Sequence, residues 1–146
     1  GVDLNSWAKQ SAELMTAKET AIQFKTADVF NSGEGNDIDI VISSLFTHHL
    51  SDDQIINFLR WMDATARRGW FINDLHRHPF PYYFIKYAVK IFCRNRIVRH
   101  DAPVSVARAF SKADWQKLLS RAGIAQNRVQ IEWFFPFRYC ISSRKS

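Results

Sequence analysis

The chain has 146 residues, 47% hydrophobic and 23% charged, which suits one globular domain with a real core and excludes a low-complexity or disordered chain. No apolar run approaches the roughly 20 residues of a membrane-spanning helix, and the opening Gly-Val-Asp carries no secretory signal pattern. The net charge of +6 is uneven: residues 1–59 hold 3 cations and 9 acids, whereas residues 60–146 hold 17 cations and 5 acids. The basic half implies nucleic acid, an anionic membrane surface or an acidic substrate, or simply a solvated basic face, which is preferred until a second feature supports another partner.

Gly1-Val2-Asp3-Leu4 reads as the end of a strand. Asn5 or Ser6 caps a helix from Trp7 to about Lys18, with Ala8, Ala12, Leu14 and Met15 as its apolar spacing. Ala21 to Ala27 alternates weakly, as a strand that ends at the acid Asp28. Residues 31–37 form a turn-rich loop, in which Gly33 and Gly35 are too few to cradle a phosphate. Ile38 to Ile42 is a nearly unbroken apolar run, expected as a strand buried on both faces. It breaks into Ser43, Ser44 and the pair His48-His49, and polar residues after a buried strand are where an α/β sheet holds its ligand.

Ser51 opens a helix over Asp52–Arg68, with Ile55, Ile56, Leu59, Trp61, Met62 and Ala66 as its apolar face and Gly69 as its stop. Trp70 to Ile72 is a short strand, followed by a second polar cluster, Asn73 to Pro79. Phe80 to His100 is one aromatic and basic helix, broken by Asp101-Ala102-Pro103, with Lys86, Lys90 and Arg94 in one stripe. Val104 to Phe110 is a short helix or a loop. Ser111 with Asp114 caps a helix over Lys112–Ala122 that ends at Gly123. Arg128–Phe135 and Phe137–Ser143 close the chain as an antiparallel pair. Alternation of this kind predicts an α/β fold: a mostly parallel Rossmann-like sheet, helices on both faces and a C-terminal antiparallel pair.

Three stretches carry a resemblance: Gly1-Val2-Asp3-Leu4-Asn5, then Ala27-Asp28-Val29-Phe30, then Asp39 to Leu50. In order and spacing they resemble successive motifs of class I S-adenosylmethionine-dependent methyltransferases, closest to the small-molecule and quinone-biosynthesis group. The resemblance covers essentially the whole chain, so it implies one methyltransferase domain over residues 1–146. The family's first strand and glycine-rich loop have no counterpart ahead of Gly1, so it also implies a domain truncated at its N-terminus. Such a chain is either a fragment or one completed by a partner. S-adenosylmethionine is the implied cofactor. Asp3, with Leu4 beside it, corresponds to the residue that binds the ribose hydroxyls, and Asp28 to the one that holds the adenine amine. Val29 corresponds to the residue packed on the ring, while Ser43, Ser44 and Leu45, running on to Phe46, correspond to the loop around the sulfonium. Carboxylates suit hydroxyl and amine donors.

The residues themselves leave duller alternatives. Asp3 and Asp28 are loop acids or helix caps unless they hold cofactor. Of His48 and His49, one is packed or capping and the other faces substrate. His76 and His78, with Asp74, orient or deprotonate an acceptor hydroxyl, or else cap the next helix. Tyr82, Tyr83, Phe84 and Tyr87 are core, or form a lid over an apolar acceptor whose basic stripe meets an anionic membrane. Two cysteines, Cys93 and Cys140, lack any metal-ligand spacing, so no metal site and a cytoplasmic setting are expected. Methyl transfer asks mainly for alignment and desolvation, so a strong catalytic signature is not expected. The expected acceptor is a small apolar molecule, phenolic or quinone-like. The alternatives are an RNA-directed methyltransferase, with nucleic acid the weaker partner, or a non-catalytic scaffold. The incomplete sheet also suggests homo-oligomerisation.

Overall fold

A computed structural model describes residues 1–17, 20–30, 38–93 and 95–145. The chain forms two compact units, Gly1–Asp37 and Ile38–Ser146.

In the first unit, strands β1 (Val2–Asp3) and β2 (Lys25–Thr26) pair in parallel, Val2 opposite Lys25 and Asp3 opposite Thr26. Between them runs helix α1 (Ser6–Met15). Asn5 is its N-cap and accepts from the Trp7 N–H at 3.0 Å, which satisfies one orphan donor of the first turn. The helix buries none of its residues, so the apolar spacing of Leu14 and Met15 marks no core here. The strand expected over Ala21–Ala27 is only Lys25–Thr26, because β1 offers two residues to pair with. Lys18 and the 31–37 loop lie outside the described residues.

The second unit is a four-stranded sheet in the order β3 (Ile40–Ser44), β4 (Gly69–Leu75), β6 (Arg138–Arg144), β5 (Val129–Phe134). β3 and β4 are parallel, and β6 is antiparallel to both of its neighbours. So β3, β4 and β5 share a direction and β6 alone opposes it. The closing pair forms as expected, but its second strand inserts beside β4 and the first is left at the edge.

One face of this sheet is dry. Trp70, Ile72 and Asp74 on β4 stand opposite Ser143, Ile141 and Tyr139 on β6, and all six are buried. Helices α2 (Asp52–Thr65) and α5 (Lys112–Ala122) pack on each other and contribute Ile55, Leu59, Met62, Trp115 and Leu119 to the core. Each such side chain stabilises the fold by about 1.5–3 kcal/mol through burial. The Trp70 indole donates to Asp63 at 3.1 Å and ties α2 to that face. On the other face, Phe71, Asn73 and Leu75 are only half-buried.

Five expectations need correction. Ile38–Ile42 is not a strand buried on both faces: β3 starts at Ile40, ends its sheet, and leaves Ile42 70% exposed. The α2 helix stops at Thr65 with Ala66 as its C-cap, so Gly69 is not its stop. Gly69 opens β4 instead, where a Cβ would meet the Ser143 carbonyl at 2.2 Å. The β4 strand runs on to Leu75, which brings Asn73 and Asp74 out of the loop and into the ladder. The Phe80–His100 helix is two helices, α3 (Pro79–Phe92) and α4 (Arg96–Arg108). Asp101-Ala102-Pro103 does not break the helix: Pro103 sits inside α4, which forgoes one backbone bond there and continues. Arg94, part of the expected basic stripe, lies outside the described residues. By contrast, α5 keeps its Ser111–Asp114 capping box and its left-handed Gly123 stop, both as the local pattern requires.

Candidate functional site

The carboxyl ends of β3 and β4 lie side by side, Ser44 opposite Asn73, and the Asn73 amide donates to the Ser44 hydroxyl at 3.2 Å. Leu45 then takes φ 54°, a left-handed conformation that costs a branched side chain roughly 1–2 kcal/mol. Its N–H is held by the Asn73 carbonyl at 2.9 Å. This turn leads through Phe46 into a short 3₁₀ helix, Thr47–His49, and Ser51 then caps α2 through a box with Gln54. The sharp turn swings Thr47 and His48 back onto β4.

There they meet Asp74, which is 0% exposed. The His48 Nδ1 lies 2.6 Å from Asp74 Oδ1, and the His48 N–H donates to Oδ2 at 3.1 Å. The Thr47 hydroxyl also donates to Oδ2, and the Leu75 N–H to Oδ1 at 2.7 Å. Burial pushes the Asp74 carboxyl up, but the bonds from His48, Thr47 and Leu75 outweigh it and hold the group below the ordinary aspartate value. A buried carboxylate is thus stabilised by four donors. Facing that carboxylate, His48 donates from Nδ1, which leaves Nε2 as its acceptor nitrogen. The ring is 5% exposed.

His48 is buried against Asp74, and His49 is exposed. Their rings lie 4.1 Å apart. Burial and the neighbouring His48 lower the His49 pKa, as does Arg108, against the opposing pull of Asp74 and Asp101. Asp101 and Arg108 belong to α4, which packs against both the 3₁₀ helix and α3. Sequence reasoning missed this wall, because Asp101 reads as part of a helix break. It missed Thr47 too, although that residue stands inside the run already singled out.

His76 is not part of the His48–Asp74 bond network. It follows β4, bridges to Phe110, and sets its ring edge-on to Tyr139 at 4.6 Å. Burial, with His78 nearby, lowers its pKa, and its buried Nδ1 has no partner among the described residues. His78 takes the capping role, accepting from the Phe80 N–H at 3.2 Å at the start of α3. Tyr82 is half-buried, with the Lys86 ammonium 5.7 Å from its ring. Tyr83 and Tyr87 are exposed, together with Phe80, Phe84 and Ile91. Among the described residues, no hydrogen bond or ring contact joins these tyrosines to His48 or Asp74.

In the first unit, Asp3 ends β1 and Asp28 lies two residues beyond β2, the adjacent parallel strand. Asp3 Oδ1 accepts from the Asn5 N–H at 2.7 Å, and Asp28 Oδ1 from the Phe30 N–H at 3.0 Å. Both are therefore local caps through Oδ1, and among the described residues no hydrogen bond is made to the other carboxylate oxygen of either. Leu4 is exposed and Val29 half-buried. In the second unit, Ser43 is buried within β3, while Ser44 and Leu45 are exposed at its end. Among the described residues no group of three His, Cys, Asp or Glu is placed to hold a metal ion. Nor is any helix long and apolar enough to cross a membrane.

No protein-family model matches the sequence, and no curated protein matches it. Solved structures do. Human N-acetylserotonin methyltransferase, in complex with S-adenosylmethionine, matches 99% of this chain at TM-score 0.64 and 15% identity. The magnesium protoporphyrin IX methyltransferase of Synechocystis, with bound S-adenosylhomocysteine, matches 100% at TM-score 0.58 and 17% identity. A Nostoc punctiforme protein described as an O-methyltransferase matches 99% at TM-score 0.64 and 18% identity. The chain spans 39%, 63% and 44% of the lengths of these three. At such identities the likeness is one of architecture: this chain has the Rossmann-like fold of the class I S-adenosylmethionine-dependent methyltransferases.

Proposed function

We propose that both units belong to one methyltransferase domain, which uses S-adenosylmethionine to methylate a small, apolar, phenolic or quinone-like acceptor. The observation that carries this reading is the His48–Asp74 pair at the carboxyl ends of β3 and β4, the end where sheets of this kind bind ligands. The cofactor residues fit their part chemically. Asp3 and Asp28 each keep a carboxylate oxygen clear of the local cap, suited to the ribose hydroxyls and the adenine amine. Leu4 and Val29 would pack beside the adenosine, and Ser43, Ser44 and Leu45 would line the methionine end.

The cofactor supplies an activated methyl group on a sulfonium. The chain aligns the acceptor and takes its proton. His48 accepts that proton at Nε2, and Asp74 positions the ring through Nδ1 and stabilises the imidazolium that results. His49, whose pKa burial and His48 lower, stands beside it on the open side. His76, on the Tyr139 side of Asp74, is a further acceptor contact. Tyr82, Tyr83 and Tyr87 belong to an aromatic face on α3 that supports a lid for an apolar acceptor. With Lys86 and Lys90, that face also supports contact with an anionic membrane surface. The exposed Ile40 and Ile42 on the end strand support self-association. Two unpaired cysteines support a cytoplasmic setting.

The test is calorimetry with S-adenosylmethionine, paired with transfer of labelled methyl to a panel of phenols and quinols. Asp3→Ala should weaken cofactor affinity by roughly tenfold or more. His48→Gln should leave that affinity intact and reduce transfer by about 10²–10⁴. Unchanged affinity in the first variant, or unchanged transfer in the second, would refute the corresponding assignment.

A further inference from the structure

A cavity lies at the opposite end of the sheet from His48 and Asp74. It encloses about 1170 Å³, more than most small-molecule sites, and Ile40 and Gly69, the first residues of β3 and β4, stand in its wall. Asp74 is five residues further along β4, about 17 Å away at the rise of a strand. A ligand here would not occupy the proposed acceptor site.

The cavity's charge is one-sided. Arg67 and Arg68 come from the segment before β4, Arg128 from the turn before β5, and Arg144 and Lys145 from the end of β6. Asp63 and Asp39 each meet one of these cations. Asp63 holds Arg128 at 3.3 Å, and Asp39 meets Arg67 at 3.9 Å, where both partners are more than half exposed and the pair is weak. Lys145 is fixed in place, its ammonium donating to the carbonyls of Asp63 and Ala66 at the end of α2. Arg68 and Arg144 have no carboxylate among the described residues. Their backbones are neighbours, because Gly69 pairs with Arg144 in the β4–β6 ladder and the Lys145 N–H donates to the Arg68 carbonyl at 2.7 Å, and both residues line the cavity. The rest of the lining is different in kind. Ile40, more than half exposed, and Phe71 give an apolar surface, and the Ser143 hydroxyl has no partner among the described residues.

Unpaired guanidinium groups beside an apolar surface match an anion with an apolar body. Guanidinium forks favour phosphate oxygens, which they bind through two parallel hydrogen bonds. The cations line one concavity from three chain segments. That favours a compact ligand over a nucleic-acid strand, which needs a basic track. We infer that this cavity binds a multiply phosphorylated small molecule, with its phosphates on Arg68 and Arg144 and its apolar or planar part against Ile40 and Phe71.

Calorimetry on the whole chain tests this with two probes, inorganic tripolyphosphate and adenosine triphosphate. Both should bind, the nucleotide more tightly, because only it has a planar part for the apolar surface. The double variant Arg68→Glu, Arg144→Glu should lower both affinities by roughly tenfold or more, since it replaces two charge-assisted contacts with repulsion. The exposed Arg99→Glu on α4, outside the cavity, should change neither, and circular dichroism should show all variants folded. Failure of both probes to bind, or binding indifferent to the double variant, would overturn the inference. So would single-stranded RNA binding more tightly than either probe through these same arginines, since that outcome makes the surface a strand-binding one. The double variant leaves Asp3 and Asp28 untouched, so nucleotide held through its adenosine at the proposed cofactor residues survives it and is told apart from binding in this cavity.

Discussion

Replacing Asp74 with asparagine probes the centre of the site with almost no change in shape. The native carboxylate receives four donors, two on each oxygen: Thr47 and the His48 N–H on Oδ2, the His48 ring and the Leu75 N–H on Oδ1. An amide keeps one acceptor oxygen and puts an NH₂ in place of the other. If the NH₂ replaces Oδ2, it faces the His48 N–H. If it replaces Oδ1, it faces the Leu75 N–H and forces the His48 ring into the opposite tautomer. Either way, one backbone N–H beside a fully buried side chain loses its partner, and charge-assisted bonds become neutral. An unsatisfied buried donor costs about 1–3 kcal/mol, and the weakened bonds bring the expected loss to about 2–4 kcal/mol. For a chain of this size that is roughly 6–15 °C in Tm. Urea unfolding measures the loss, and the nitrogen shifts of the His48 ring report its tautomer. The pH dependence supplies a sign. The folded-state pKa of Asp74 is depressed, so its contribution is complete above the ordinary value of 3.8 and disappears as the pH falls from there through the folded value. Asp74→Asn should lack that part of the wild-type acid limb. A variant within about 1 kcal/mol of wild type, with the same acid limb and the same His48 tautomer, would show that the carboxylate does not organise this site.

Three further outcomes follow from particular positions. Gly69→Ala should destabilise the protein by about 3 kcal/mol or more, because φ is +155° and the new Cβ would lie 2.2 Å from a backbone carbonyl. Gly123→Ala, with φ +80° and nothing within 4 Å, should cost only about 1 kcal/mol, and equal losses in urea unfolding would contradict this account. Tyr83→Ala, at a position 54% exposed on α3, should raise the acceptor's Michaelis constant several-fold and leave S-adenosylmethionine affinity alone. An unchanged constant would remove α3 from the acceptor site.

What could be read from the sequence is what short-range chemistry controls. Ser51, and Ser111 with Asp114 and Gly123, mark helix ends because each cap bonds to a backbone group three residues away at most, or needs only one left-handed residue. The alternation of strands and helices, and the polar run after Ile42, follow from hydropathy along the chain. The motif order pointed to the methyltransferase fold that the solved structures share. Other features were not local. Pro103 looked like a helix end, yet α4 runs through it, because a proline removes one bond and its neighbours in the helix keep theirs. Asp74 looked like a loop acid, since polarity rises after Ile72. The ladder with β6 extends β4 through it, and the parallel register with β3 brings Thr47 and His48 onto it across more than 25 residues. The five cations of the second cavity are scattered from Arg67 to Lys145, and only sheet pairing collects them. The sequence by itself thus determined where the capped helices α2 and α5 begin and which residues carry reactive groups, because those depend on neighbours a few residues away. The tertiary structure alone decided which of those groups meet, because strand register, set by a buried face two residues in period, moves distant residues into contact or apart as a block.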